Sequence, residues 1–195
     1  MSDTTSPGRR RPSQKTFAIG IGSAVAIIAI VVVSILTGGH VTTNGGQPTS
    51  ALVGKSVAPF SLDGLTGGTV EAPWRSHHAA VVIFFASWCG PCKTEMPKVA
   101  SYLRHHNEGS IHVIGLDAGD SLGPAKSFVQ GSGVTFPVAF DPNLTVTNNI
   151  FGFRTVPETV FVNAKGIVAQ VYYGAVPKSV LVKGIANLRA HPGST

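Results

Sequence analysis

The sequence predicts an α/β domain, helices flanking a mixed β-sheet, carried behind a single membrane-spanning helix. Three observations lead there. Ala79–Ala86 (AAVVIFFA) is a continuous apolar run of strand length, the pattern of a central strand buried on both faces. Strand-like and helix-like segments alternate after it and end in a hairpin and a helix, which implies an α/β sandwich around a mixed sheet. Phe17–Leu36 (FAIGIGSAVAIIAIVVVSIL) is twenty residues long and carries no charge.

At 1.5 Å per residue, that N-terminal run spans about 30 Å, the hydrocarbon thickness of a bilayer. Arg9, Arg10, Arg11 and Lys15 precede it and no basic residue follows closely, so the positive-inside rule places the N-terminus in the cytoplasm. A cleaved signal peptide is the competing reading. The run exceeds the usual 7–15 residues of such a peptide, and no small-x-small site follows Leu36. The sequence therefore divides into a basic cytoplasmic tail (1–16), a single-pass anchor (17–36), a flexible linker rich in Gly, Thr, Ser and Asn (37–50) and an extracytoplasmic domain (51–195).

Within that domain, Val57–Leu62 and Gly68–Ala72 read as short strands around Asp63-Gly64 and Gly67-Gly68. After the central strand a helix starts near Cys89, with Met96, Val99 and Leu103 at helical spacing. Ile111–Leu116 is a second strand ending at Asp117, and Asp120 or Ser121 is placed to cap a helix running to Gln130. Phe136–Phe140 reads as a strand and Pro142–Phe151 as a helix. Thr159–Asn163 and Ile167–Tyr173 flank Ala164-Lys165-Gly166 as a hairpin. Pro177 opens a last helix with Leu181, Ile185 and Leu188 on one face.

Composition excludes several classes. Of 195 residues, 43% are hydrophobic and 12% charged, too apolar for a charged disordered chain. The net charge is +6, and half of it sits in the first sixteen residues. No basic stripe with interleaved aromatics remains to bind nucleic acid. Two cysteines cannot build a disulfide-stapled scaffold or a four-thiolate zinc site.

The spacing of those cysteines is more telling. Trp88-Cys89-Gly90-Pro91-Cys92 falls where a buried strand ends and a helix begins. The unpaired N–H groups and dipole of a helix N-terminus favour an anion, so the Cys89 thiol should ionise readily. A thiolate attacks disulfides, and a second thiol one turn on releases the mixed disulfide. Pro91 suits a first helical turn, and Trp88 offers an apolar landing surface. A half zinc site lacks its second ligand pair. Two inert buried cysteines would leave the spacing and the Gly-Pro pair as coincidence.

At these residues the chain resembles the thioredoxin superfamily. The context FFASWCGPCKTEMPKV, the opening APFSLDGL and the stretch FPVAFDPNLTVTNNIFGFRTVPETVFVNAKGIV look most like the extracytoplasmic, membrane-tethered branch that includes TlpA, ResA and DsbE/CcmG proteins. The resemblance implies a thioredoxin-like fold with Cys89 and Cys92 as a redox disulfide. It also makes Val156-Pro157 the loop with a cis proline facing that disulfide, and Pro97 the helix-kinking proline. Glu158 would lie beside the disulfide. Cytoplasmic thioredoxin keeps a buried Asp six residues before its first cysteine, where this chain has Ile83. Another group must then take the proton of Cys92, and Glu158 is the candidate; a plain hydrogen-bonding role for it stays open.

The expected activity is that of a thiol-disulfide oxidoreductase, with Cys89 as nucleophile, Cys92 as resolving thiol, and Gly90, Pro91, Val156 and Pro157 around them. The resembled branch reduces disulfides of apocytochrome c or other envelope proteins, with electrons from a membrane thiol relay and no cofactor or metal. Oxidation or isomerisation of secreted-protein thiols is the alternative. A peroxidase of the peroxiredoxin class would need Thr or Ser three residues before its reactive cysteine; Ala86 stands there. A non-catalytic binding module would leave the intact cysteine pair unexplained. His77-His78 and His105-His106 read as solvated, as do Lys93 and Glu95. Asp117 reads as a loop-capping residue near the site.

Overall fold

The computed structural model describes residues 49–193 of the chain. The tail, the anchor and nearly all of the linker expected at 1–16, 17–36 and 37–50 lie outside the described residues. Among the described residues, no helix is long and apolar enough to cross a membrane.

Seven strands and four α-helices follow one another. These are β1 (Ser61–Asp63), β2 (Thr69–Glu71), β3 (Ala79–Phe85), α1 (Gly90–His105), β4 (Ile111–Ala118), α2 (Leu122–Gly131), β5 (Val138–Asp141), α3 (Thr145–Asn149), β6 (Glu158–Val162), β7 (Val168–Tyr173) and α4 (Lys178–Ala190). β1 and β2 form a small antiparallel ribbon. The main sheet has the order β5-β4-β3-β6-β7. β3 runs parallel to β4, and β4 to β5, whereas β6 is antiparallel to both β3 and β7. The sheet is therefore mixed, as the alternating units and terminal hairpin predict.

β3 is central because all seven of its residues can be buried on either face. Val81, Ile83 and Phe85 point to one side, where they meet Met96 and Val99 of α1, Ala125 and Val129 of α2, and Leu181, Ile185 and Leu188 of α4. Val82 and Phe84 point to the other, into a cluster with Phe60, Trp74, Val146 and Phe151. There Phe60, Trp74 and Phe151 meet edge to face with centroids 5.8–6.3 Å apart. α4 lies so close to the sheet that a β-carbon at Gly184 would overlap the Phe161 ring.

Three elements differ from the sequence reading. The first strand begins at Ser61 rather than Val57, since Pro59 has no N–H for a ladder. Phe60 instead turns into the aromatic cluster. The helix expected over Pro142–Phe151 is confined to Thr145–Asn149, because Leu144 is left-handed at φ 56°. Its start is set by the Asp141 carboxylate, which accepts from the Thr145 and Thr147 N–H groups at 2.8 Å each. α2 begins after Ser121, but neither expected cap works as one. Ser121 makes no side-chain cap bond, and Asp120 reaches elsewhere.

Candidate active site

β3 ends at Phe85, and Ala86-Ser87-Trp88 turns the chain into α1. Cys89 is the N-cap of that helix, its N–H bonded to the Ala86 carbonyl at 3.1 Å. The cap side chain is a sulfur: Cys89 Sγ accepts from the Cys92 N–H at 3.1 Å. An acceptor at this position satisfies one of the orphan donors of the first turn and feels the positive end of the helix dipole. Cys89 and Cys92 form a disulfide with their Cα atoms 5.3 Å apart. Cys89 is 4% exposed and Cys92 fully buried, so an approaching group meets Cys89 first. Trp88 is 65% exposed beside it. Gly90 and Pro91 are exposed too, and a β-carbon at Gly90 would meet nothing within 4 Å.

The Val156–Pro157 peptide bond is cis. Glu158 pairs with Phe84 across β6 and β3, which brings Pro157 level with the end of β3, where the cysteine turn leaves the sheet. Val156 packs against the apolar cluster that contains both cysteines. The Pro157 carbonyl accepts from the Gly174 N–H at 2.8 Å, tying this loop to the one that leads into α4.

Glu158 is buried next to Pro157, but its alternation with Val160 puts it on the Phe84 face of the sheet. Both cysteines belong to the cluster on the other face. Burial raises its pKa from 4.5 to about 7, against the lowering effect of Arg154, whose N–H approaches Glu158 Oε2 at 3.5 Å.

Glu95 corrects the sequence reading. It is 3% exposed, not solvated. It lies three residues beyond Cys92, nearly one turn along α1 and on the same buried stripe as Met96 and Val99. Its Oε1 accepts from the Val176 N–H at 2.6 Å, while Oε2 is buried without a partner. Burial outweighs that bond and raises its pKa from 4.5 to about 7. The helical spacing from Cys92 carried the signal; treating the charge as a solvent marker hid it.

Asp117 is likewise no loop cap. It is fully buried on β4, and neither of its oxygens has a well-formed hydrogen bond. It shares the face of Ile111 and Val113, the side that holds both cysteines. Burial, then the neighbouring Asp120 carboxyl, raise its pKa from 3.8 to about 8. Ile83, in the place of thioredoxin's buried Asp, is fully buried among apolar neighbours. His77, His78, His105, His106 and Lys93 are exposed.

The model of the AhpC/TSA family matches residues 53–171. The chain is similar to the thiol-disulfide oxidoreductase ResA of Bacillus subtilis (strain 168), 27% identical over 142 residues, covering 73% of this chain and 78% of that protein. The ResA of Halalkalibacterium halodurans is 25% identical over 131 residues, 67% of this chain and 74% of its own. Among solved structures, MTB dsbF, in mixed oxidized and reduced forms, superposes with a TM-score of 0.60 at 27% identity, covering 66% of this chain and 94% of its own. A Chlorobium tepidum structure assigned to thiol:disulfide interchange protein DsbE gives 0.62 at 26% identity, covering 71% and 99%. The likeness read from Trp88–Cys92 and its surroundings thus extends over most of the domain, with the family model spanning residues 53–171.

Proposed function

The chain belongs to the AhpC/TSA family and is a thiol-disulfide oxidoreductase of ResA/DsbE type, and we propose that it works outside the cytoplasm as a membrane-tethered reductase of protein disulfides. The observation that carries the chemistry is the Cys89–Cys92 disulfide at the N-terminus of α1, with Cys89 slightly exposed at 4% and Cys92 fully buried. The tether rests on the uncharged run Phe17–Leu36 and the basic residues before it. Ala86 supplies no hydroxyl near Cys89, which disfavours peroxide chemistry despite the family's name.

In the reduced enzyme the Cys89 thiolate attacks one sulfur of a substrate disulfide. The new S–S bond leaves the second substrate sulfur as a thiolate. The Cys92 thiol gives its proton to Glu95, the buried carboxylate one turn along α1, and attacks Cys89. That step frees the other substrate sulfur and leaves Cys89–Cys92 oxidised. Two electrons have passed to the substrate, and a membrane thiol relay returns two. Glu95 replaces Glu158 as proton acceptor because it shares the face and helix of Cys92. Val156 and Pro157 form the edge along which substrate backbone lies. Apocytochrome c or other envelope proteins are the substrate class.

Trapping tests this reading. Full-length Cys92→Ser in native membranes should hold substrates on Cys89 as mixed disulfides, released by reductant. Protease added outside should free the domain at the Thr37–Ser50 linker. A resting pair that is mostly reduced, with a potential nearer about −270 mV than about −120 mV, supports reduction; a mostly oxidised pair near the upper value hands the direction to thiol oxidation.

A further inference from the structure

The turn that carries Cys89 is held from outside its own helix. Ser87, two residues before Cys89, donates its backbone N–H to Asp120 Oδ2 at 2.5 Å and its hydroxyl to Asp120 Oδ1 at 2.8 Å. Both oxygens of one carboxyl are spent on one residue 33 positions away. Asp120 is 7% exposed, and it makes this contact instead of capping α2. Gly119, at φ +79°, makes the sharp exit from β4 that turns Asp120 toward Ser87.

Asp117 neighbours Asp120, fully buried and without a well-formed hydrogen bond to either of its oxygens. The charges acting on it come from Asp120 and from Asp141 at the end of β5; the residues beside it in the ladder, Phe85 and Phe140, carry none. A bare carboxylate buried here would be costly, and burial together with the neighbouring Asp120 carboxyl favours the neutral form of Asp117.

We propose that Asp120 is a positioning residue for thiol exchange: through Ser87 it fixes the Trp88-Cys89 turn, so that Cys89 Sγ stays at the α1 N-terminus after the disulfide opens. In the oxidised state the S–S bond itself holds Cys89. Once reduced, the sulfur keeps the Cys92 N–H and the helix dipole only if the turn does not drift. The clamp therefore acts on the reduced enzyme, the form that attacks substrate. This inference rests on the assignment of Cys89 as nucleophile.

The test is the pH dependence of Cys89 alkylation by iodoacetamide in the reduced full-length protein. Asp120→Ala should move the midpoint upward and slow labelling at pH 7 by about tenfold, the effect of losing a charge-assisted bond. Ser87→Ala, which keeps the N–H, should move it less in the same direction, and Ser87→Thr should restore it. If Asp120→Ala does not fold, the two Ser87 variants decide. Asp120→Asn separates clamp from field, since it keeps one acceptor but removes the charge. An unmoved midpoint in Asp120→Ala, or a lowered one in both Asp120 variants, would overturn the clamp. Wild-type protein in which Cys89 labels no faster than Cys92 would instead overturn the nucleophile assignment beneath it.

Discussion

The two ends of the main sheet treat buried acids differently. At the end away from the cysteines, Glu108 is buried in the loop before β4, but Arg189 of α4 pairs with it at 2.5 Å. At the cysteine end, Glu95, Asp117 and Glu158 are buried with no salt-bridge partner among the described residues, and each has its pKa raised into the range of about 7 to 8. A buried charge left unpaired costs stability. The fold avoids that cost at one end; at the other, burial leaves these three carboxyls able to change protonation near neutrality. Asp120 and Asp141, buried at that same end, are instead spent on N–H and hydroxyl donors.

The largest effect should come from the sulfur itself. Cys89→Ser should abolish insulin-disulfide reduction, while Glu108→Gln, at the far end, should leave turnover within about twofold, the scale of a partly exposed ion pair. Activity surviving in the Cys89 variant would remove the site from this end of the sheet altogether.

Next is Glu95→Gln. The amide can still accept the Val176 N–H but cannot take a proton from Cys92. Single-turnover release of the mixed disulfide at pH 7 should slow by about 100-fold, within the usual reach of general base catalysis. Glu158→Gln, on the other face of the sheet, should slow it far less. Equal losses would mean that the sheet does not separate the two carboxyls functionally.

Much of this arrangement was legible in the sequence, for physical reasons. β3 was readable because a strand buried on both faces must be apolar throughout. The Cys89–Cys92 turn was readable because a reactive pair needs a strand end, a helix start and a three-residue spacing together. The clamp of Asp120 on Ser87 was not, since it joins residues 33 apart through side chains, and local patterning is silent on such contacts. Asp120 looked like a helix cap because caps use the same residue types. Glu95 differs from its sequence reading because charge normally marks the wet face of a helix, and its hydrogen-bond donor, the Val176 N–H, lies 81 residues away.

Stability against pH sharpens the contrast further. Asp117 has a folded pKa raised from 3.8 to about 8, so its neutral form is favoured by folding. Its contribution is fully present below the unfolded value and is lost as pH rises through about 8; Glu95 and Glu158 behave alike between 4.5 and about 7. The wild-type domain should therefore unfold at lower urea concentration at pH 8.5 than at pH 5. Asp117→Asn should recover about 1–3 kcal/mol at pH 8.5, allowing for solvent penetration, and almost none at pH 4. A variant equally displaced at both pH values would show that Asp117 acts through packing rather than its proton.

The smallest effect belongs to the paired end, and its size is the point. Glu108→Gln removes the charge that meets Arg189, whose side chain is 45% exposed. Water already reaches the Arg189 partner, although Glu108 is buried, so loss of the pair should cost on the order of 1 kcal/mol. The remaining amide can still accept from the guanidinium, which limits the damage further. The cost should shrink with added salt, because screening weakens the wild-type pair and leaves the variant unchanged. The shape of the stability profile between pH 5 and 8.5 should survive intact, because the acids that bend it lie at the other end of the sheet. Urea unfolding of wild type and Glu108→Gln at pH 5, 7 and 8.5, each at low and high salt, reads all three expectations. A profile that flattens in Glu108→Gln as it does in Asp117→Asn would mean that the two ends do not divide the work, and that buried acids anywhere in this fold titrate alike.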